Sequence, residues 1–158
     1  MTTNTRHRRP TVLQVATIDK PIRPGLGYSP IETIIYNIDK GLRSLGHKSI
    51  VACSADSCIT GEQYVTIRQS FGDYVCKSTM EQKTAVKIHL LKALERARRG
   101  DIDIIQMHGW LDYIYNGVFN PDLPIVMTLH VPAKDTWIRK TSINGLTSCR
   151  IHPCISWQ

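Results

Sequence analysis

The sequence lacks paired cysteines. Cys53, Cys58, Cys76, Cys149 and Cys154 are odd in number and none stands in C-x-x-C spacing, which argues against a disulfide framework and for reduced thiols. Cys149, His152 and Cys154 lie close together, but on an extended segment positions 149 and 152 point to opposite faces and no fourth ligand follows, so no metal site is expected. No apolar run approaches the roughly 20 residues of a membrane span. The basic start M-T-T-N-T-R-H-R-R-P is not followed by the apolar region of a signal peptide, so the expectation is a cytosolic protein with residues 1–10 as a disordered basic tail.

Nucleotide motifs are missing as well. There is no G-x-x-x-x-G-K-[ST], which excludes a P-loop. A dinucleotide-binding turn is disfavoured because Pro30 replaces its third glycine and Cys53-Ser54 stand where its acidic residue belongs. Gly27-Tyr-Ser29-Pro-Ile31 lacks the second glycine of a nucleophile elbow. No bound cofactor is therefore expected. Internal repeats and Gly/Ser linkers are also absent, and 158 residues suffice for one domain with a proper core.

Basic charge is in excess, with a net charge of +7 and a pI of 9.3. It gathers at Arg6 to Arg9 and from Lys83 to Arg99. A solvated helix face and a weak attraction to anionic lipid headgroups both account for it. No arginine-aromatic interleaving accompanies it, so no nucleic-acid partner is expected.

The most legible stretch runs from Arg23 to His47. Ser29, Pro30 and Glu32 have the spacing of a capping box at a helix start. Ile31, Ile34, Ile35, Ile38, Leu42 and Leu45 recur on one helical face, and Gly46 is a C-terminal stop. The runs Thr11 to Thr17 and Lys48 to Cys53 on either side are rich in β-branched residues, which completes a βαβ unit and predicts a parallel sheet. Gln63 to Arg68 reads as a third strand. Ser78 to Glu81 reads as a second capping box, opening a helix that carries Val86, Leu90, Leu91, Leu94 and Ala97 to Gly100, with Arg96, Arg98 and Arg99 at its carboxyl end.

Two buried strands follow, Asp101 to Met107 and Pro124 to Leu129, each leading into a histidine, His108 or His130. A short helix within Ala133 to Ser148 and a strand from Arg150 to Ser156 are expected beyond them. The fold class is thus α/β, a Rossmann-like doubly wound parallel sheet in a single domain, 11–158. Ligands of such sheets bind where loops leave the carboxyl ends of strands, which places the 18–28 loop, His108 and His130 at the expected site.

Gly25-Leu-Gly27, Ile31-Glu32 and Gly41-Leu-Arg-Ser-Leu-Gly-His47, followed by Asp103-Ile-Ile-Gln-Met-His108, Thr128-Leu-His130 and Ile155-Ser-Trp-Gln158, resemble the first domain of retaining glycosyltransferases of family 4, two-domain GT-B enzymes. Leu26 splits the glycine pair, and Gln106 stands where the family often has its first histidine. The resemblance implies an acceptor-side domain that works with a nucleotide-sugar donor and a hydroxyl acceptor. It also implies a second glycosyltransferase domain that holds the donor. That domain's two glutamates seven residues apart do not occur among Glu32, Glu62, Glu81 and Glu95, so the chain alone is expected to be incomplete.

On this reading His108 is the catalytic candidate, bonding a sugar hydroxyl and stabilising developing charge, and Gly25, Gly27, Tyr28 and His130 are substrate-binding candidates. Each has an ordinary structural alternative: a plain loop turn for the glycines, a satisfied strand-end histidine for His108 and His130, an aromatic packed under its own loop for Tyr28. Glu32 is accounted for as a capping residue. The competing functional expectation is a non-catalytic α/β binding module for a phosphorylated ligand or a partner protein.

Overall fold

The computed structural model of the chain describes residues 9–72, 80–109, 117, 119, 121–128 and 130. The elements are β1 (Thr11–Val15), α1 (Pro30–Ser44), β2 (Lys48–Ser54), β3 (Glu62–Ile67), α2 (Met80–Ala97), β4 (Ile104–Met107) and β5 (Ile125–Met127). The strands form one sheet in the order β3-β2-β1-β4-β5, and every pairing is parallel. β1 ends two residues earlier than its apolar run suggests. The expected elements within 133–156, the start of the second helix at Ser78, Trp110 and the cysteine-histidine group at 149–154 lie outside the described residues.

Parallel strands covered on both faces must be apolar on both, and β1 and β2 are buried along nearly their whole length. Alternate side chains go to opposite faces. Leu13, Val15, Ile50, Ala52, Ile105 and Met107 meet Val86, Leu90, Ala93, Leu94 and Ala97 of α2 in one core. Ala16, Val51 and Cys53 meet Ile35 of α1 and Ile22 in a second. Among the described residues one helix covers each face, so the sheet is doubly wound, as expected. No helix among the described residues is long and apolar enough to cross a membrane.

The two helices depart from their expected faces. In α1 only Ile35 of the six apolar residues is fully buried, whereas Glu32 and Asp39 are buried with it. Ile34 and Leu45 are exposed, Leu45 to 69%. The buried line is rotated toward the carboxylates because Asp39 binds the β2–β3 loop. Its Oδ2 accepts from the Thr60 backbone N at 2.8 Å, the Thr60 hydroxyl at 2.6 Å and the Gly61 N at 2.9 Å. A side chain at Gly61 would collide with Asp39 and with the Ser49 carbonyl oxygen. In α2, Leu91 is exposed and His89 is fully buried instead.

The helix ends also have particular causes. α1 closes with His47 N donating to Leu42 O and Gly46 N to Arg43 O, and Gly46 has a φ of +78°, the Schellman arrangement that favours glycine. At the end of α2, Arg96 is buried and makes a bidentate bond to Asp101 at 2.5 and 2.9 Å. Lys48 and Glu62 join the same network, and the Arg96 guanidinium holds the Asp101 carboxyl down at about 2. This network ties α2 to the amino ends of β2 and β3, the end of the sheet away from the site.

Candidate functional site at the carboxyl ends of the central strands

Strand order reverses between β1 and β4. β1 connects through α1 to β2 on one side, and β4 pairs with β5 on the other. Parallel α/β sheets hold ligands outside the carboxyl ends of the strands at such a switch point. Thr17 and Asp19 follow β1, Glu32 lies in the first turn of α1, His108 follows β4 and His130 follows β5.

Glu32 is the centre of this group. It is 6% exposed, and its oxygens accept from the Thr17 hydroxyl at 3.1 Å and the Ser29 hydroxyl at 2.6 Å. The capping-box expectation is therefore corrected, because Ser29 makes no side-chain bond to a backbone amide. Its hydroxyl is turned to the carboxylate, and its carbonyl accepts from Thr33 N instead. A carboxylate in the first turn is favoured by the helix dipole. The Glu32 charge also acts on its neighbours: burial and then Glu32 raise the Asp19 carboxyl, while Glu32 partly opposes the burial that lowers His130.

The two histidines form a pair. His108 is fully buried and its backbone N donates to Val15 O. Its Nδ1 lies 3.4 Å from Nε2 of the half-buried His130, and the rings stack with centroids 5.6 Å apart. On its other side, Nε2 of His108 lies 3.3 Å from Oε1 of Gln14, whose Nε2 donates to the Ser49 hydroxyl at 3.3 Å. Burial, followed by the charge of His130, pushes His108 down to about 3. Burial lowers His130 as well, so the surroundings favour the neutral form of both rings. Gln106, which stands where the resembled family often has its first histidine, donates to the Thr128 hydroxyl at 3.2 Å.

The glycine loop is separate from this cluster in character. Gly25 has a φ of +78° and requires glycine for that reason. Among the described residues, nothing lies within 4 Å of the place where a side chain at Gly27 would begin. Tyr28 is 89% exposed, which removes the alternative that it packs under its own loop. The structure thus brings His108 and His130 together and leaves Gly25, Gly27 and Tyr28 on the exposed loop.

The sequence alone does not mark Gln14, Thr17, Asp19 or Glu32 as site residues. Gln14 carries a readable signal, a polar side chain in the middle of the apolar run Thr11 to Thr17. Glu32 was concealed by the capping spacing that explains it locally.

The sequence model of Glycosyltransferase Family 4 matches residues 31–150, from the first turn of α1 through both histidines. No curated protein matches the chain. With more than half of its length matched, and with both paired histidines inside that span, the chain belongs to glycosyltransferase family 4.

Proposed function

We propose that the chain is the acceptor-side domain of a GT-B glycosyltransferase, transferring a sugar from a nucleotide-sugar to an acceptor hydroxyl with retention. A second domain binds the donor. The observation that carries this reading is the neutral His108–His130 pair beside Glu32 at the switch point of the sheet. A neutral imidazole accepts a hydrogen bond through one nitrogen and donates through the other, which suits it to a hydroxyl whose proton must leave as its oxygen attacks. His130, the more exposed ring, meets the hydroxyl. His108 stands behind it and stabilises the charge that develops. Gly25 and Gly27 let substrate approach the backbone near the amino end of α1, with Tyr28 as an apolar wall.

The cellular setting proposed is the cytosol, in keeping with free thiols at Cys53 and Cys58. Burial pushes the Cys53 thiol up to about 12, so it stays protonated and is no nucleophile. The outer side of α2 displays Met80, Ile88 and Leu91 among Lys83, Lys87 and Lys92, a composition that complements an anionic lipid surface. Sedimentation with anionic vesicles, but not with zwitterionic ones, is the expected outcome; equal recovery with both contradicts the contact.

The functional reading is tested with the purified chain, nucleotide-sugars and polyol or monosaccharide acceptors. Mass spectrometry should detect no transfer by the chain alone, since both reactants must be held at once. Calorimetry should detect acceptor binding that His130→Ala weakens roughly tenfold, the scale of one lost hydrogen bond. Acceptor affinity unchanged by the substitution would instead favour the non-catalytic binding module.

A further inference from the structure

The histidine pair does not end at His108. Gln14 is the last but one residue of β1, the middle strand, and is fully buried. Its in-register neighbours are Val51 on β2 and Gln106 on β4, so a glutamine here occupies a place where an apolar side chain would pack. A buried amide needs partners at both ends, and Gln14 has them. Its Nε2 donates to Ser49 Oγ on β2 at 3.3 Å, and its Oε1 faces His108 Nε2 at 3.3 Å. Ser49 is buried too, so this end of the chain of contacts is closed to water.

An amide oxygen can only accept, so His108 Nε2 must carry the hydrogen. Its Nδ1 then holds a lone pair, and the facing Nε2 of His130 must donate to it. The last nitrogen, Nδ1 of His130, is left with a lone pair. We infer that Gln14 is a positioning residue that sets the proton arrangement of both histidines, so that His130 offers Nδ1 as a hydrogen-bond acceptor to the substrate hydroxyl. This rests on the reading of His130 as the group that meets substrate, and it specifies the form in which that group is presented.

The arrangement has a direction. His130 donates to His108, His108 to Gln14 and Gln14 to Ser49, every donor pointing inward. A hydroxyl that gives its hydrogen to His130 therefore meets the acceptor end. Rotating the Gln14 amide by half a turn would reverse all of these bonds: its nitrogen would donate to His108, and His130 would present N–H to the substrate. The same four residues would then favour a substrate oxygen that accepts. The orientation of one buried amide thus decides which hydrogen-bonding partner the site selects.

Long-range nitrogen-proton correlation spectra of the ligand-free chain, labelled at histidine, distinguish the two ring tautomers directly. The wild-type protein should show His108 protonated at Nε2 as the dominant form near neutral pH. Gln14→Met keeps the bulk and removes the acceptor, and should move His108 to a mixture of tautomers. Gln14→Glu restores an acceptor, and should return the Nε2-protonated form and raise the ring's pKa. A wild-type His108 protonated at Nδ1 overturns the inference, as does a Gln14→Met protein whose tautomer is unchanged. The wild-type spectrum decides even if a variant fails to fold. Because no substrate is present, failure here is distinct from failure of the acceptor-binding test.

Discussion

The His108 ring lies against that of His130, 23° from parallel with centroids 5.6 Å apart, and Nδ1 of the first is 3.4 Å from Nε2 of the second. Two imidazolium ions cannot occupy this contact, because each would aim a proton at the other. Burial already disfavours charge on both rings, and their mutual repulsion adds to it for His108. The pair is therefore a neutral device at physiological pH, and Glu32 is the charge that adjusts it.

Replacing Glu32 by Gln should move two neighbours in the same direction for different reasons. The carboxylate opposes the lowering of His130 and raises Asp19; with the charge gone, both groups should titrate at lower pH. The amide can still accept a hydrogen bond from Thr17 or Ser29, so the melting temperature should change little. Titration followed by NMR measures both shifts, and thermal melting measures the stability. Unmoved His130 and Asp19 would show that Glu32 does not set the field of the site.

Acid stability should depend on His89. Its Nε2–H donates to the Ala16 carbonyl at 3.0 Å and its Nδ1 lies 2.6 Å from the Thr66 hydroxyl, which joins α2 to β3 and to the segment just after β1. Burial holds it down to about 4, below the value of about 6.5 that an unfolded histidine has. Between these values the unfolded chain binds more protons, so stability is fully present above about pH 6.5 and falls as pH drops toward 4. The contribution is of the order of a few kcal/mol. His89→Gln should flatten the fall of melting temperature across this window, leaving the part due to His108. An unchanged slope would contradict the assignment.

Asp39 should be a stability residue with no effect on ligand binding. Its Oδ2 accepts three hydrogen bonds from Thr60 and Gly61, and removing a buried charged acceptor leaves the donors unpaired. Asp39→Ala should cost about 2–4 kcal/mol in urea denaturation. Gly61→Ala should cost about 1–3 kcal/mol, because the new methyl meets Asp39 and the Ser49 backbone oxygen. Wild-type midpoints for both would show that this loop is not anchored to α1.

The sequence is most informative where structure is local. The βαβ order, the start of α1 at Pro30 and its stop at Gly46 follow from spacing alone, as does the position of His108 and His130 after strands. The chemistry of Glu32 does not, because Thr17 stands fifteen residues away and reaches it only when the loop after β1 folds back. Local spacing could explain the glutamate as a cap, and this concealed its pairing with the two hydroxyls. The buried face of α1 departs from its apolar row for a related reason. A periodic row of isoleucines defines a helix but does not fix which edge turns inward, and here Asp39 decides it by holding Thr60 and Gly61. The pairing of β1 with β4 joins residues more than ninety apart, which no local pattern encodes; only with that pairing do Gln14 and His108 meet.

The most direct measurement is a titration of the histidine-labelled chain with hydroxyl-bearing acceptors, observing the ring resonances of His130, His108 and His89 together. His89 bonds Thr66 and the Ala16 carbonyl and takes no part in the pair, so it serves as an internal reference. The account predicts that an acceptor shifts His130 most, shifts His108 through the shared hydrogen bond and leaves His89 in place. Acceptors that bind to saturation while His130 and His108 stay fixed would contradict it.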